Sequence, residues 1–550
     1  MNRATPARVV SRRLLLATLL AAMLAASTAH AATDTWTGSA SSTDWATAAN
    51  WDTAAIASGD GLVFTSANAS SSTTLTDTLA TTTNIAGITF NSGALGYTMT
   101  GNAFNLTGVI TNNASGVTET FNNNIVLTSA GTWGMASGTT TTFNGNLSLS
   151  GIGTILLGGT TTATSGGTIN FNGTNTLSFS GGTFRALILQ GTGTTLNVGS
   201  GSNSASLAIS ASTANSGYFN ILGTSTLNVK NGASVTVNGT TNATTPTSGI
   251  GNSSGLGATV NVDGTLTYGT GTGLAIGATG GNNALNVNSG GILNLNGTAK
   301  TITIAADGAL NVAGTVNSSE GTWAGTGKLV LQGGTFKATA AQTLGSTLAI
   351  STTSTSSTIN TNSFAVSIGS AITGSGGLIK AGSGTLTLSG ANTYTGGTTV
   401  SAGTLALANS FTMSGANQMT IAATGTAGTN YGTLTTSSTL NFGGTLAINF
   451  SSSILSGGET FNLFQPGSSG TFNSGFTGVS IAGSYIITSL SGSSGVWTGS
   501  ASGLDFTFSE ASGDLTVGGS AIPEPATYAA IFGALALGMV LIRRRCQSAA

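Results

Sequence analysis

The 550-residue sequence is rich in small residues and carries only 13 lysines and arginines against 14 aspartates and glutamates. A net charge of −1 spread over so few charged residues excludes the basic patch that nucleic-acid binding requires. One histidine and one cysteine exclude an internal disulfide and a zinc site built from Cys and His ligands.

The first 31 residues have the organisation of a secretory signal peptide. Four arginines precede the apolar stretch Leu14–Ala26, and Ala29-His30-Ala31 fits the small-x-small cleavage rule. We therefore expect an N-terminal signal helix that is cut after Ala31. Two of the arginines are adjacent, so twin-arginine export stays open beside the general pathway, which is favoured. Cleavage would remove the only histidine, and a Ser-His-Asp triad is then impossible in the mature protein.

Residues 32–125 are predicted to form an N-terminal cap and the first rungs of a repetitive β structure. Trp36, Trp45 and Trp51 precede the apolar run Leu62-Val63-Phe64. These three rings can bury the open end of a stack of strands, or they can form a platform on which sugar rings stack. Capping is the favoured interpretation, because the end strands of a stack need a cover.

Residues 126–439 are predicted to form the body of a β-solenoid. Short runs in which apolar and polar residues alternate recur along it, and turns rich in glycine and asparagine separate them. Among these runs are Leu147-Ser148-Leu149, Ile169-Asn170-Phe171, Leu177-Ser178-Phe179, Leu227-Asn228-Val229, Leu310-Asn311-Val312 and Leu386-Thr387-Leu388. Self-similarity of this kind indicates stacked coils that share a continuous apolar interior.

One stretch of the body, residues 376–405, resembles a known family. It runs from Gly376-Gly377-Leu378-Ile379-Lys380 through Asn392-Thr393-Tyr394-Thr395-Gly396 to Val400-Ser401-Ala402-Gly403-Thr404-Leu405. This sequence is very similar to the autotransporter-associated β-strand repeat of secreted passenger domains. The resemblance implies an all-β fold, a right-handed parallel β-helix with β caps, and an exported protein.

Residues 440–521 are predicted to form a C-terminal β region, richer in phenylalanine, that closes the stack with antiparallel strands. Asp505, Glu510 and Asp514 lie in or beside its turns. They can be solvated turn residues, or they can form a glycosidase carboxylate pair or a Ca²⁺ site. The turn interpretation is favoured because no supporting acidic motif surrounds them. We therefore predict no catalytic, cofactor-binding or metal-binding residues.

The last segment, residues 522–550, has three features in a fixed order. Pro523-Glu524-Pro525 comes first, the uncharged stretch Ala526–Ile542 follows, and Arg543-Arg544-Arg545 ends it. The prolines keep a helix from extending backwards, and the uncharged stretch is marginally long enough to cross a bilayer. We therefore expect one C-terminal transmembrane helix with its arginines on the cytoplasmic side.

This order resembles the PEP-CTERM sorting tail. The resemblance implies an exosortase-type membrane protease as a partner and a Gram-negative host. It also implies a chain that is anchored transiently in the inner membrane and then released to the cell surface or extracellular matrix. An ordinary single-span anchor that is never cut is the alternative.

Together these features favour an exported, non-enzymatic protein of the cell surface or matrix that acts as an adhesin or biofilm component. One alternative is a carbohydrate-binding protein that uses Trp36, Trp45 and Trp51. Another is a polysaccharide-degrading enzyme on the same scaffold. Exopolysaccharide is the ligand that these alternatives require.

Overall fold

The computed structural model describes residues 32–40, 42–53, 55–68, 72–151, 153–158, 166–180, 185–201, 204–211, 216–239, 248–251, 257–269, 273–277, 281–297, 301–353, 355–422, 424–452, 455–473, 475–485, 489–519 and 525–547. The predicted signal peptide lies outside the described residues. The chain divides into two compact units, Met1–Asn311 (unit 1) and Val312–Ala550 (unit 2).

Unit 1 consists of short strands that pair in parallel and form three columns. Its first column is Thr74–Asp77, Thr98–Gly101, Thr118–Phe121, Thr140–Phe143, Thr168–Phe171, Thr195–Val198, Thr226–Val229, Thr259–Val262, Asn283–Val287 and Gly308–Val312. Its second column is Phe104–Leu106, Ile125–Leu127, Leu147–Gly151, Thr174–Phe179, Ser206–Ala211, Ser234–Asn238, Thr265–Tyr268 and Ile292–Leu295. Its third column is Thr33–Thr35, Asp60–Phe64, Asn84–Phe90, Ile110–Asn112, Gly131–Met135, Ile155–Gly158, Arg185–Leu189, Ser216–Ile221, Ser248–Ile250, Leu274–Ile276 and Thr301–Ile304. A single 3-10 turn is described in this unit, at Ala48–Asn50.

Apolar and polar residues alternate along these strands, and the apolar side chains point into the coils. In the first column Leu196, Leu227, Val260 and Leu285 are registered partners on successive coils and are completely buried. Each of them packs on the residues above and below it, so runs of four residues are enough to build a continuous apolar interior. The alternating runs predicted as strands all lie in strands of the structure.

The interior of the first coils of unit 1 is aromatic. Phe64, Phe90, Phe121, Phe143 and Phe171 follow one another at ring-centroid distances of 5.2, 6.0, 5.2 and 5.6 Å. Stacked and edge-on pairs at these separations stabilise a core beyond the burial of their area. This aromatic stack gives the first coils a filled interior although their strands are short.

The N-terminal segment of unit 1 covers strand edges of the first coils. Thr33–Thr35 pairs in parallel with Asp60–Phe64. The backbone N–H of Trp45 donates to the Thr76 carbonyl at 2.9 Å, and the backbone N–H of Thr76 donates to the Thr43 carbonyl at 3.0 Å. Backbone groups that an open edge would leave unpaired are satisfied here within the chain itself.

Unit 2 repeats the parallel arrangement. Its first column is Lys328–Leu331, Ala349–Thr352 and Ile372–Gly374, and a second short group consists of Phe411–Thr412, Thr439–Asn441 and Thr471–Asn473. Its second column is Thr315–Ser318, Thr335–Ala338, Ser357–Asn360, Leu378–Ala381, Thr398–Val400, Ala416–Ile421, Thr445–Phe450 and Gly478–Gly483. Its third column is Thr322–Gly325, Gln342–Leu344, Val366–Ile368, Thr385–Leu388, Thr404–Leu407, Thr433–Thr436 and Phe464–Pro466. The described chain is thus mostly β, with long parallel sheets, as a parallel β-helix requires.

The C-terminal region predicted over residues 440–521 contains both kinds of pairing. Parallel pairing continues as far as Gly478–Gly483, whose partner is Thr445–Phe450. An antiparallel sheet follows the order Glu459–Asn462, Asp514–Gly519, Leu504–Ser509, Val496–Ala501 and Ser491–Ser493. Phe506 and Phe508 point inward from this sheet and are completely buried. Antiparallel strands therefore occur in this region, and coil strands are interleaved with them in the sequence.

The last described element is the helix Pro525–Gln547. Ile531, Phe532, Leu537 and Ile542 are 51–69 % exposed on it. Among the residues that the structure describes, no helix has the combined length and hydropathy needed to cross a membrane. A helix is therefore present where one was predicted, and its expected transmembrane character is not supported.

Candidate functional site

Half of the residues predicted to direct export and sorting lie outside the described part of the chain. Ala29, Ala31, Pro523 and Glu524 are outside the described residues, and Pro525 is the first residue of the C-terminal helix. The helix also contains Arg543, Arg544 and Arg545, and the first two have exposed side chains. The structure therefore brings the three arginines together on one element and leaves the processing sites undescribed.

The three tryptophans, for which a cap was favoured over a sugar platform, are core residues of unit 1. Trp36 and Trp45 are completely buried, and Trp51 is 5 % exposed. Trp36 and Trp51 meet edge-on at 5.2 Å, and Trp45 packs on Phe64 at 6.2 Å and on Phe104 at 5.8 Å. A sugar can stack only on a ring face that solvent reaches, so the platform prediction is wrong for these rings. Their packing is that of a cap on the aromatic stack.

Asp505 and Asp514 of the C-terminal sheet do not converge. Asp505 pairs with Gly518 and Asp514 pairs with Ser509, so they lie four residues apart along the hairpin. At ~3.4 Å per residue the separation is about 14 Å, beyond the ~5–9.5 Å at which two carboxylates act on one glycosidic bond. Glu510 accepts a hydrogen bond from the Trp497 indole N–H at 3.0 Å. No group of three or more His, Cys, Asp or Glu able to hold a metal occurs among the described residues.

The most unusual polar residue of unit 2 is Lys380, in the strand Leu378–Ala381. Burial alternates along this strand so that Leu378 and Lys380 point inward, and Lys380 is completely buried. Its registered partners on the neighbouring coils are Ile359 and Val400, both apolar and buried. An ammonium group thus occupies a position that aliphatic side chains fill in the coils above and below.

Backbone carbonyls satisfy this buried ammonium. Lys380 Nζ donates to the carbonyls of Ala381 at 3.1 Å, Gly382 at 2.7 Å and Ala402 at 2.9 Å. Three donors meet three acceptors, which is the full capacity of the group. The Ala381 carbonyl ends its own strand, the Gly382 carbonyl lies in the turn that follows and the Ala402 carbonyl belongs to the next coil. The side chain therefore joins two coils. Burial lowers the pKa of Lys380 to about 8.

The loop between the strands Thr385–Leu388 and Thr398–Val400 is held by its own side chains. The Asn392 carboxamide oxygen accepts from the Ile372 N–H at 2.9 Å, and the Tyr394 hydroxyl lies 3.0 Å from the Thr398 hydroxyl. Tyr394 packs on Phe411 at 5.2 Å. The loop is therefore fixed on both neighbouring coils, although it contains no strand of its own.

Unit 1 contains a buried residue of the opposite kind, Glu119 in the strand Thr118–Phe121. Glu119 points into the coil and is completely buried. Its Oε2 accepts from the Tyr97 N–H at 2.7 Å, and its Oε1 has no hydrogen-bond partner among the described residues. Burial raises the pKa of this carboxyl to about 8, although the Tyr97 bond opposes the shift, so most of it is protonated at pH 7.

Neither buried group can act on a ligand in this fold. Both side chains are completely enclosed and bond to backbone atoms. Lys380 lies within the predicted repeat and was assigned no role from the sequence, and Glu119 was not predicted as a site residue. Counting every second residue from Leu378, or back from Phe121, places both on the inward face and would have found them.

The segment around Lys380 consists of parallel β-solenoid coils, two of which are joined by the buried lysine. Residues 378–407 match the model of the passenger-associated-transport-repeat. This match supports the predicted repeat, and with it an exported protein that carries a passenger-type segment. No curated protein matches the chain.

Proposed function

We propose that this chain is an exported, non-enzymatic protein of the cell surface or extracellular matrix that acts as an adhesin or biofilm component. The observation that carries the proposal is the passenger-type repeat at residues 378–407, set within parallel coils. Repeats of this kind belong to secreted passenger segments, whose coils present long outer faces rather than an enclosed pocket.

The chemistry of the described residues favours a role without catalysis. Lys380 and Glu119, which have strongly shifted pKa values, are sealed inside the coils and bond to the backbone. Catalytic groups with shifted pKa values lie instead in clefts that a substrate can enter. A polysaccharide-degrading enzyme is the alternative, and a carboxylate pair would be its minimum requirement.

The route to the surface is the second part of the proposal and rests on the sequence of the tail. In it, an exosortase-type protease cuts near Pro523-Glu524-Pro525 after the tail has held the chain transiently at the inner membrane. The order of the proline motif, the uncharged stretch and the arginines supports this route. The exposed apolar side chains of the helix Pro525–Gln547 also favour an apolar partner over water.

Replacing Pro523, Glu524 and Pro525 by alanine tests the route in the native host. We expect the variant to stay in the membrane fraction at its uncut size, while the unaltered chain reaches the surface or medium in a shorter form. Replacing Gly518, Gly519 and Ser520 by alanine is the matched control, because a methyl group makes only ordinary contact with Asp505 at Gly518 and meets nothing within 4 Å at Gly519. Unchanged size and location in the first variant would reject the tail proposal.

Incubating the purified chain with host exopolysaccharide tests the activity. A non-enzymatic surface protein is retained on the polymer or leaves it untouched, and the polymer keeps its length in gel filtration. Release of shorter fragments would instead establish the degrading enzyme and reject the proposal.

A further inference from the structure

The outer face of the first column in unit 1 carries an uninterrupted ladder of asparagine side chains. Each carboxamide donates from Nδ2 to Oδ1 of the asparagine one coil before it. The four steps within the ladder Asn197, Asn228, Asn261, Asn286 and Asn311 measure 2.8, 2.9, 2.8 and 2.7 Å. The ladder begins at Asn170, which accepts from Asn197 at 2.8 Å.

These bonds leave half of the hydrogen-bonding capacity of each amide for another partner. A carboxamide has two N–H donors and two acceptor lone pairs, and the ladder uses one of each. All these asparagines are half-buried, so a ligand can approach them from the outside of the coils. The ladder fixes the plane of every amide, and the remaining groups therefore repeat with the strand spacing of ~4.8 Å.

A second row of hydroxyl groups runs beside the ladder. Thr195, Thr226 and Thr259 are registered partners on successive coils, two residues before the corresponding asparagines and on the same outer side. They are half-buried as well. Together with the ladder they form what we call the asparagine–threonine face, a flat array of hydroxyl and amide groups on rigid strands.

The asparagine–threonine face is uncharged. The strands Thr195–Val198, Thr226–Val229 and Thr259–Val262 contain no ionisable residue, and the turns after them supply one charge of each sign, Lys230 and Asp263. Asp263 accepts from Asn288 at 2.7 Å. A strongly anionic or cationic polymer gains little from such a surface, whereas a neutral ligand with many hydroxyl groups can pair with each step of the array.

We propose that the asparagine–threonine face binds a neutral, extended polysaccharide whose chain runs along the ladder. The strand spacing is comparable to the length of one sugar ring in such a chain, so successive sugars meet successive coils. The groups are held in place before binding, and little conformational entropy is lost when the ligand adds. The inference deepens the proposed surface function and rests on it for access to the polymer.

The test uses the purified full chain and three insoluble neutral polymers, cellulose, curdlan and xylan, with alginate and chitosan as charged comparisons. We expect retention on at least one neutral polymer and not on the charged ones. Changing Thr226→Val and Thr259→Val together removes two hydroxyls but keeps the β-branched shape, and retention should fall about tenfold, as expected for one or two lost hydrogen bonds.

The matched control is the pair Thr236→Val and Thr265→Val, two outward threonines on paired strands of the neighbouring column. Its retention should equal that of the unaltered chain, and all three proteins should melt at the same temperature within about 2 °C. Absence of retention on every neutral polymer, or equal loss in both pairs, overturns the inference. Self-association in sedimentation that only Thr226→Val with Thr259→Val abolishes would make the face a contact between copies and overturn it too. These results leave the export experiment on the tail unaffected, so the two proposals can fail separately.

Discussion

Glu119 in unit 1 and Lys380 in unit 2 are both completely buried, and these two ionisable side chains are of opposite kind. In unit 1 Glu119 points into a coil beside the aromatic stack and accepts from the Tyr97 N–H. In unit 2 Lys380 points into an aliphatic coil and donates to three carbonyls, among them those of Gly382 and Ala402. The coil architecture is the same in both, and the inward register is the same.

The difference shows that local backbone groups decide which polar residue an inward position tolerates. A strand position that faces an unpaired N–H suits an acceptor, and a corner where carbonyls converge suits an ammonium group. Burying a polar group without such a complement costs about 1–3 kcal/mol or more. An inward ionisable side chain is therefore tolerated in this fold only where the neighbouring backbone groups complement it. The same residue at the corresponding position of another coil would lack these partners.

Reversing the charge of Lys380 removes this complementarity and should lower the free energy of unfolding more than the other changes considered. Lys380→Glu places a carboxylate against three carbonyl oxygens, and we expect a loss of about 4 kcal/mol in the free energy of unfolding. Denaturant unfolding followed by circular dichroism measures it. Lys328→Glu, at an exposed position of the same unit, is the control and should change the free energy by less than about 0.5 kcal/mol. Equal effects of the two variants would show that the carbonyl corner is irrelevant.

Removing the charge while keeping the volume should have an intermediate effect. Lys380→Met fills the space between Ile359 and Val400 but leaves the carbonyls of Gly382 and Ala402 without the donor that Lys380 supplies. The Ala381 carbonyl keeps the Thr361 N–H as a donor, and we expect about 2 kcal/mol of destabilisation. Hydrogen exchange measured segment by segment should show the loss in residues 378–407 and not in unit 1. A variant as stable as the unaltered chain would mean that packing alone sets the stability of this corner.

The stability of the two units should change with pH in opposite directions. At any single pH this effect is smaller than that of either Lys380 variant. The pKa of Glu119 is raised from 4.5 to about 8, so the folded form binds the extra proton and unit 1 loses stability as pH rises through that interval. The pKa of Lys380 is lowered from 10.5 to about 8, so unit 2 gains stability as pH rises from about 8. One proton corresponds to at most ~1.4 kcal/mol per pH unit.

Hydrogen exchange of both units between pH 5 and pH 10, corrected for the intrinsic exchange rate, tests this opposition. Glu119→Gln keeps an acceptor for the Tyr97 N–H and should remove the slope of unit 1 between pH 6 and pH 8. Below pH 6 Asp77, whose pKa burial raises to about 6, still contributes a slope of the same sign. The unaltered slope of unit 2 in the same sample is the internal reference. Parallel slopes in both units would contradict the assignment of these two groups.

The strands were predictable because their burial has a period of two. In Leu227-Asn228-Val229 and the other alternating runs, the apolar residues indicate which side of the strand faces inward. Leu227 and Val229 lie on the inward side of their strand. Coil lengths were not predictable in the same way. Steps along the asparagine ladder span 25 to 33 residues because loops of different length join strands of constant register. Only the backbone pairing reveals which strand lies above which.

The candidate site was less predictable than the fold. A cluster of tryptophans in the sequence is compatible with a sugar platform and with a cap. The sequence does not show whether the rings are exposed or buried. The alternation of the strands predicts that Lys380 and Glu119 point inward. Their hydrogen-bond partners could not be predicted, because these are backbone groups whose positions depend on the fold. The asparagine ladder could have been read from the recurring Leu-Asn-Val and Val-Asn-Val runs once these were aligned in register.

The pairing of each strand with a strand one coil away has a consequence for the order in which the chain can fold. Successive asparagines of the ladder are separated by 25 to 33 residues, and Thr33–Thr35 finds its partner at Asp60–Phe64. Within the coils, a chain that leaves a translocation pore from its N-terminus therefore meets each strand partner soon after it emerges. Each finished coil serves as the template for the next, so folding can keep pace with passage through the pore and need not wait for the C-terminus.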